Sequence, residues 1–129
     1  MKGAIILSKI KVLVVEPERK PYVKVIEHTL ENLQSIVGGR IEVVYDVTNE
    51  NVAYVVNEEG KINGSQFNRA LYFDGTLVDY IFGTFFICGV GVDDFIDISD
   101  EDITSYSNLY QHKEYLFCSR GKIEHIICK

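Results

Sequence analysis

Pro21-Tyr22-Val23-Lys24-Val25-Ile26-Glu27-His28-Thr29-Leu30-Glu31-Asn32-Leu33-Gln34-Ser35-Ile36-Val37-Gly38-Gly39 is the stretch on which the fold turns. Val23, Ile26, Leu30, Leu33 and Val37 recur at spacings of three and four, which aligns them on one face of an α-helix. Lys24, Glu27, His28, Glu31 and Gln34 fall mostly on the other face, where His28 is expected to be solvated. Pro21 stands just before the first turn, where its missing N–H costs little, and Gly38-Gly39 supplies a stop. The pattern predicts one long helix from Tyr22 to Val37.

Working outward, Ile10 to Val15 is apolar and rich in β-branched residues, and Glu16-Pro17 ends it, so it reads as a central strand. Arg40–Tyr45 and Asn51–Val56 read as two strands joined by the polar turn Asp46–Glu50, with their apolar sides packed on the helix. Asn57 to Gly60 is turn chemistry, and Asn63–Leu71 is a loop entering either a short strand or one helical turn. Asp74-Gly75 marks a tight turn. Val78–Val90 holds one or two buried strands, with Gly83 at a bulge or a close backbone approach. Ser99-Asp100-Glu101-Asp102 is a capping-box pattern that starts a second helix, about Asp100 to Gln111, with Ile103, Tyr106 and Tyr110 roughly in register. Tyr115-Leu116-Phe117 and Ile123–Ile127 flank Ser119–Lys122 as a terminal hairpin. The expected fold is α+β: a mixed or antiparallel sheet with one long helix packed on a face and a second C-terminal helix. A single domain over 1–129 is expected, with 113–129 as a hairpin extension.

The 129 residues match the size of one domain, roughly 100–150 residues. A chain of this length buries about two-thirds of its unfolded surface, and 47% hydrophobic residues supply a core without metal or disulfide support. The formal charge of −6 opposes non-specific nucleic-acid binding and docking on anionic membranes. It suits solubility first and a basic protein partner second. The opening Met1–Lys9 is a short apolar run broken by lysine, without a cleavage site, and no apolar run is long enough to span a bilayer. Cys88, Cys118 and Cys128 form an odd set, expected as free thiols in a reducing cytoplasm.

Polar residues interrupt the apolar pattern at Asn63, Asn68 and Arg69. Arginine offers a planar fork of donors to phosphate or carboxylate, and asparagine both donates and accepts. Two readings are open: a site for a small anionic or nucleotide-like ligand, with Phe67 or Tyr72 as a stacking face, or a structural role in which Asn68 ties down the loop and Arg69 pairs with Asp74 or Asp79. The acidic run Asp93–Asp102 lacks the calcium-loop pattern and reads first as helix capping, with docking of a basic partner in reserve. Cys118, His125 and Cys128, with Cys88 or His112 as a fourth ligand, have zinc-binding chemistry but match no paired zinc spacing, so no metal or other cofactor is expected. A hydrolase using Cys118 and His125 is a further option. Gly89-Val90-Gly91 is not a dinucleotide fingerprint, and no G-x-S-x-G, HExxH or Walker sequence occurs, so no catalytic residue is assigned and no enzyme is expected.

Lys11–Pro17, Pro21-Tyr22-Val23, Val37–Tyr45, Asn57–Lys61, Asn68–Leu71 and Gly83–Ile87, in that order, resemble a family of small phage and mobile-element proteins, domain-of-unknown-function family 3846, over about residues 11 to 102. The chain departs from it at Gly64-Ser65-Gln66-Phe67, where the family more often has Gly-Leu-Pro. The resemblance implies a phage or conjugative-element origin and work in a bacterial cytoplasm. Together with the Asn68-Arg69 loop it yields the leading functional expectation: a non-enzymatic binding protein, as a homo-oligomer, that sequesters a small nucleotide-like ligand such as a host defence signal. The alternative is an acidic interaction module that inhibits a host restriction or regulatory protein.

Overall fold

A computed structural model describes residues 8–129, so the opening run read for a leader lies outside the described residues. The chain is mostly β, with ten strands and two short helices among the described residues. Strand β1 (Lys9–Val15) is central as expected, lying between β2 (Tyr22–Glu27) and β7 (Phe85–Val90). Beyond β7 come β4 (Val52–Asn57) and β3 (Ile41–Tyr45), giving the order β2-β1-β7-β4-β3, and the two-residue β8 (Phe95–Ile96) pairs with β7. Every pairing in this sheet is antiparallel. Two hairpins stand apart from it: β5 (Phe67–Phe73) with β6 (Thr76–Phe82), and β9 (Lys113–Ser119) with β10 (Lys122–Cys128).

The long helix from Tyr22 is the main correction, and with it the α+β fold class. Tyr22–Glu27 is an edge strand, paired with β1 from Lys9↔Glu27 to Val14↔Tyr22, and the helix α1 runs only from Leu30 to Val37. The spacing of three and four was real, but Val23 and Val25 also alternate with Lys24, and aromatic and β-branched residues favour the pleated geometry. Pro17–Pro21 turns the chain back on β1, and pairing along its whole length outweighs one helical stripe. Thr29 then caps α1, its hydroxyl accepting from the Asn32 N–H at 3.2 Å, and Gly38 ends it with φ 81°. His28 is therefore in no helix. It is mostly shielded, stacks on Phe95, and places Nε2 3.3 Å from Asp94 Oδ1.

The sheet is covered on both faces. On one, Ile10, Val12, Val14, Val55 and Phe86 pack under Leu33 and Val37 of α1. On the other, Leu13, Tyr54, Phe85 and Ile87 pack against Leu71 and Ile81 of the β5–β6 hairpin and against Tyr106 of α2 (Asp100–Leu109). Burial on both sides explains why β4 and β7 read as unbroken apolar runs. Gly83 joins β6 to β7 at φ 81°, which an L side chain rarely adopts, so the turn of direction falls there.

Candidate functional site

The segment from Asn63 to Tyr72 divides at the entrance to β5. Asn63 lies exposed in the preceding loop, where its Oδ1 accepts from the Ser65 N–H at 3.1 Å and hydroxyl at 2.6 Å. Phe67 opens the strand edge-on to Phe82 and Tyr80, with ring centroids 5.5 and 6.1 Å apart. Tyr72 is exposed near the far end of the strand. Between them, Asn68 and Arg69 are completely buried. The five residues expected to form one site thus do not converge.

Asn68 and Arg69 are instead an internal junction. Asn68 Nδ2 donates to the Val15 and Gly83 carbonyls, each at 2.9 Å, which fixes β5 across the turn between β6 and β7. Its Oδ1 accepts from Arg69 Nη1 at 2.7 Å. Arg69 Nη2 donates to the carbonyls of Arg19, in the β1–β2 turn, and Tyr110, at the end of α2, at 2.7 and 2.9 Å. Its Nε hydrogen-bonds nothing and faces Glu114 Oε2 of β9 at 3.7 Å. Burial lowers the Arg69 pKa from the ordinary arginine value, and the Glu114 carboxylate pulls it back up. The expected partners Asp74 and Asp79 are both exposed, and Asp79 pairs with Lys61. The Asn68 amide nitrogen and both terminal nitrogens of Arg69 are already engaged, and the remaining donor, Nε, is sealed against Glu114.

Glu114 and His125 complete the junction, and sequence reasoning missed Glu114. Glu114 Oε1 accepts from the Ala70 N–H at 2.9 Å and lies 2.6 Å from His125 Nε2. His125 in turn packs edge-on to Phe67. The available signal was chemical: a buried guanidinium requires a countercharge, and Glu114 opens the otherwise apolar run Tyr115-Leu116-Phe117. His125 is thus turned toward Glu114, and Cys118, opposite Ile123 in the hairpin ladder, makes no hydrogen bond to it. Cys128 lies at the other end of the hairpin opposite Lys113, and no metal-holding group of His, Cys, Asp and Glu occurs among the described residues. Cys88 is buried, and that burial pushes its thiol up to about 12.

A second polar cluster joins α2 to the sheet. Tyr106 donates to Asp46 Oδ2 at 2.5 Å, Asp46 Oδ1 accepts from the Thr48 N–H and hydroxyl, and the Tyr54 and Tyr110 hydroxyls meet at 2.6 Å. Burial first, and in Tyr106 the Asp46 carboxylate next, raises these tyrosine pKa values, so the hydroxyls stay protonated.

The acidic run has two parts. Ser99 caps α2, accepting from the Asp102 N–H at 3.1 Å while its hydroxyl donates to Asp102 Oδ2 at 3.0 Å. Asp97 Oδ1 accepts from the Lys11 N–H, and the Lys11 ammonium lies 3.2 Å from Asp100. Asp93 and Glu101 are exposed and pair with no cation among the described residues. Two grooves, of about 320 and 480 Å³, share Val90: Tyr45, Val92 and Asp93 line one, and Ile96, Asp97 and Glu101 the other. Val92 is 99% exposed, Tyr45 59% and Ile96 50%, so apolar side chains stand open beside the carboxylates.

Among the described residues no helix is long and apolar enough to cross a membrane. The chain belongs to the family described as Domain of unknown function (DUF3846), whose model matches residues 10–111. The match takes in the sheet, Arg69 and α2 but stops short of the β9–β10 hairpin that carries Glu114 and His125. Comparison with curated proteins and with solved structures returned no match.

Proposed function

We propose that this chain is a non-enzymatic interaction module of a phage or mobile element, working in a bacterial cytoplasm, whose acidic corner docks a basic segment of a host protein. One observation carries the reading: Asp93 and Glu101 lack cationic partners among the described residues and flank grooves where Val92, Ile96 and Tyr45 are exposed. Apolar anchors with a charged rim are the composition of a protein interface, and a net charge of −6 favours encounter with a basic partner. Sequestration of a nucleotide-like ligand is the weaker reading, because its main donors, Asn68 and Arg69, are sealed and engaged.

The test is selection of binding peptides from a random extended library on the full chain, followed by titration. Selected peptides are expected to be rich in Lys and Arg with interspersed apolar residues. Their affinity should fall at least tenfold when Asp93, Asp97 and Glu101 are all replaced by Lys, and the association rate should drop with added salt. Neutral or acidic selected peptides, or affinity unmoved by the triple reversal, would overturn the proposal.

A further inference from the structure

The β9–β10 hairpin leaves one edge open. Its first strand lies beside β5, while among the described residues β10 pairs with β9 alone. Apolar side chains stand out on both of its faces. Alternation along β10 puts Ile123, His125 and Ile127 on the face toward Phe67 and Tyr80, and Ile126 on the other with Phe117 of β9. Ile123 is 63% exposed and Ile127 46%, and Phe117 and Ile126 are exposed as well.

The turn decides which backbone groups the open edge presents. Arg120 and Gly121, at φ 53° and 77°, make a two-residue turn of the kind that suits a hairpin. Ser119 and Lys122 therefore close it as a hydrogen-bonded pair, and bonded and non-bonded pairs alternate from there. Lys122, Glu124, Ile126 and Cys128 turn their N–H and C=O groups toward β9, and those of Ile123, His125 and Ile127 point outward. No backbone group elsewhere among the described residues bonds these three. The ladder runs from Lys122 to Cys128 without a bulge or a proline to blunt the edge. The edges of the main sheet differ. β2 carries Lys24 in mid-strand, and its Glu27 carbonyl already accepts from the Thr29 N–H and Asn32 Nδ2, while β3 carries Glu42.

The open edge also matches itself. Its outward residues are centred on His125, so a second β10 running antiparallel about a two-fold axis there sets Ile123 opposite Ile127 of the second copy, and the reverse. Each opposed outward pair exchanges both N–H···O bonds. Apolar meets apolar on that face, and on the other Lys122 faces Cys128 and Glu124 faces Ile126, so no like charges are opposed. His125, at the axis, is already paired with Glu114. We infer that β10 is a dimerisation edge, joining two copies of this chain through a four-stranded sheet of order β9-β10-β10-β9. The inference goes beyond the basic-partner reading and stands without it. The hairpin also lies outside the family match, so the pairing belongs to this chain's own extension.

The test is sedimentation of the full chain over a hundredfold range of concentration, with amide hydrogen exchange followed by nuclear magnetic resonance at both ends of that range. A reversible monomer–dimer equilibrium is expected. In the dimer the Ile123, His125 and Ile127 amides should exchange at least tenfold more slowly than in the monomer, with no such change along Tyr22–Glu27 or Ile41–Tyr45. Ile123→Lys and Ile127→Lys, each on a side chain exposed in the monomer, should weaken association at least tenfold and leave the circular dichroism of the monomer unchanged. A monomer at every concentration, including one that takes up only a foreign strand at this edge, would overturn the inference. So would a dimer whose three outward amides exchange as in the monomer, or undiminished association of both lysine variants.

Discussion

Arg69 shows how one residue type can be read in two opposite ways. Its fork of donors suits an anion, yet here it spans the β1–β2 turn, α2 and Asn68, with Glu114 as countercharge. Removing one member of a buried pair leaves the other uncompensated, at about 3–5 kcal/mol. Arg69→Met is therefore expected to lower stability to denaturant by that order, and Arg69→Met with Glu114→Gln should recover part of the loss. A double variant as unstable as the summed single changes would show the two groups uncoupled. The buried tyrosines give a second test at this scale. Their folded pKa values are raised, so their contribution is complete below the unfolded value of about 10 and is lost as pH rises above it. Alkaline titration followed by tyrosinate absorbance and circular dichroism should show Tyr54, Tyr106 and Tyr110 ionising only together with unfolding. Ionisation of all eight tyrosines before any loss of structure would contradict their burial in the cluster.

At the scale of elements, what was legible followed local rules. The capping box at Ser99, the glycine stop at Gly38, the turns at Asp46–Glu50 and Asp74-Gly75 and the strands β1, β3 and β4 all follow from short-range chemistry. Tyr22–Glu27 was not legible in that way, because its helical and strand patterns coexist and only the partner β1, across the Pro17–Pro21 turn, decides between them. The candidate site failed for a related reason: Arg69 and Glu114 lie far apart in sequence, and periodicity carries no information about which acid a buried guanidinium will meet. Backbone carbon shifts should read as strand for Tyr22–Glu27 and as helix only from Leu30. Thr29→Ala should cost about 1 kcal/mol through loss of the cap. Helical shifts at Val23–Ile26, or no cost at Thr29, would restore the long helix.

For the whole molecule, the layered core leaves function to the surface. The sheet is closed by α1 on one side and by the β5–β6 hairpin with α2 on the other, and Arg69 is enclosed between layers. The β9–β10 hairpin, outside the family match, supplies the charge that makes this enclosure tolerable. The acidic corner, by contrast, is accessible, with Val92, Tyr45 and Ile96 exposed beside its carboxylates. The most direct measurement compares two variants in one titration with a selected basic peptide: the Lys triple reversal at Asp93, Asp97 and Glu101, and Arg69→Met with Glu114→Gln, both confirmed as folded. Binding is predicted to fall at least tenfold in the first and to stay within twofold of the parent in the second. Retained binding in the reversal together with loss in the core variant would contradict the account and return function to the Asn68-Arg69 junction.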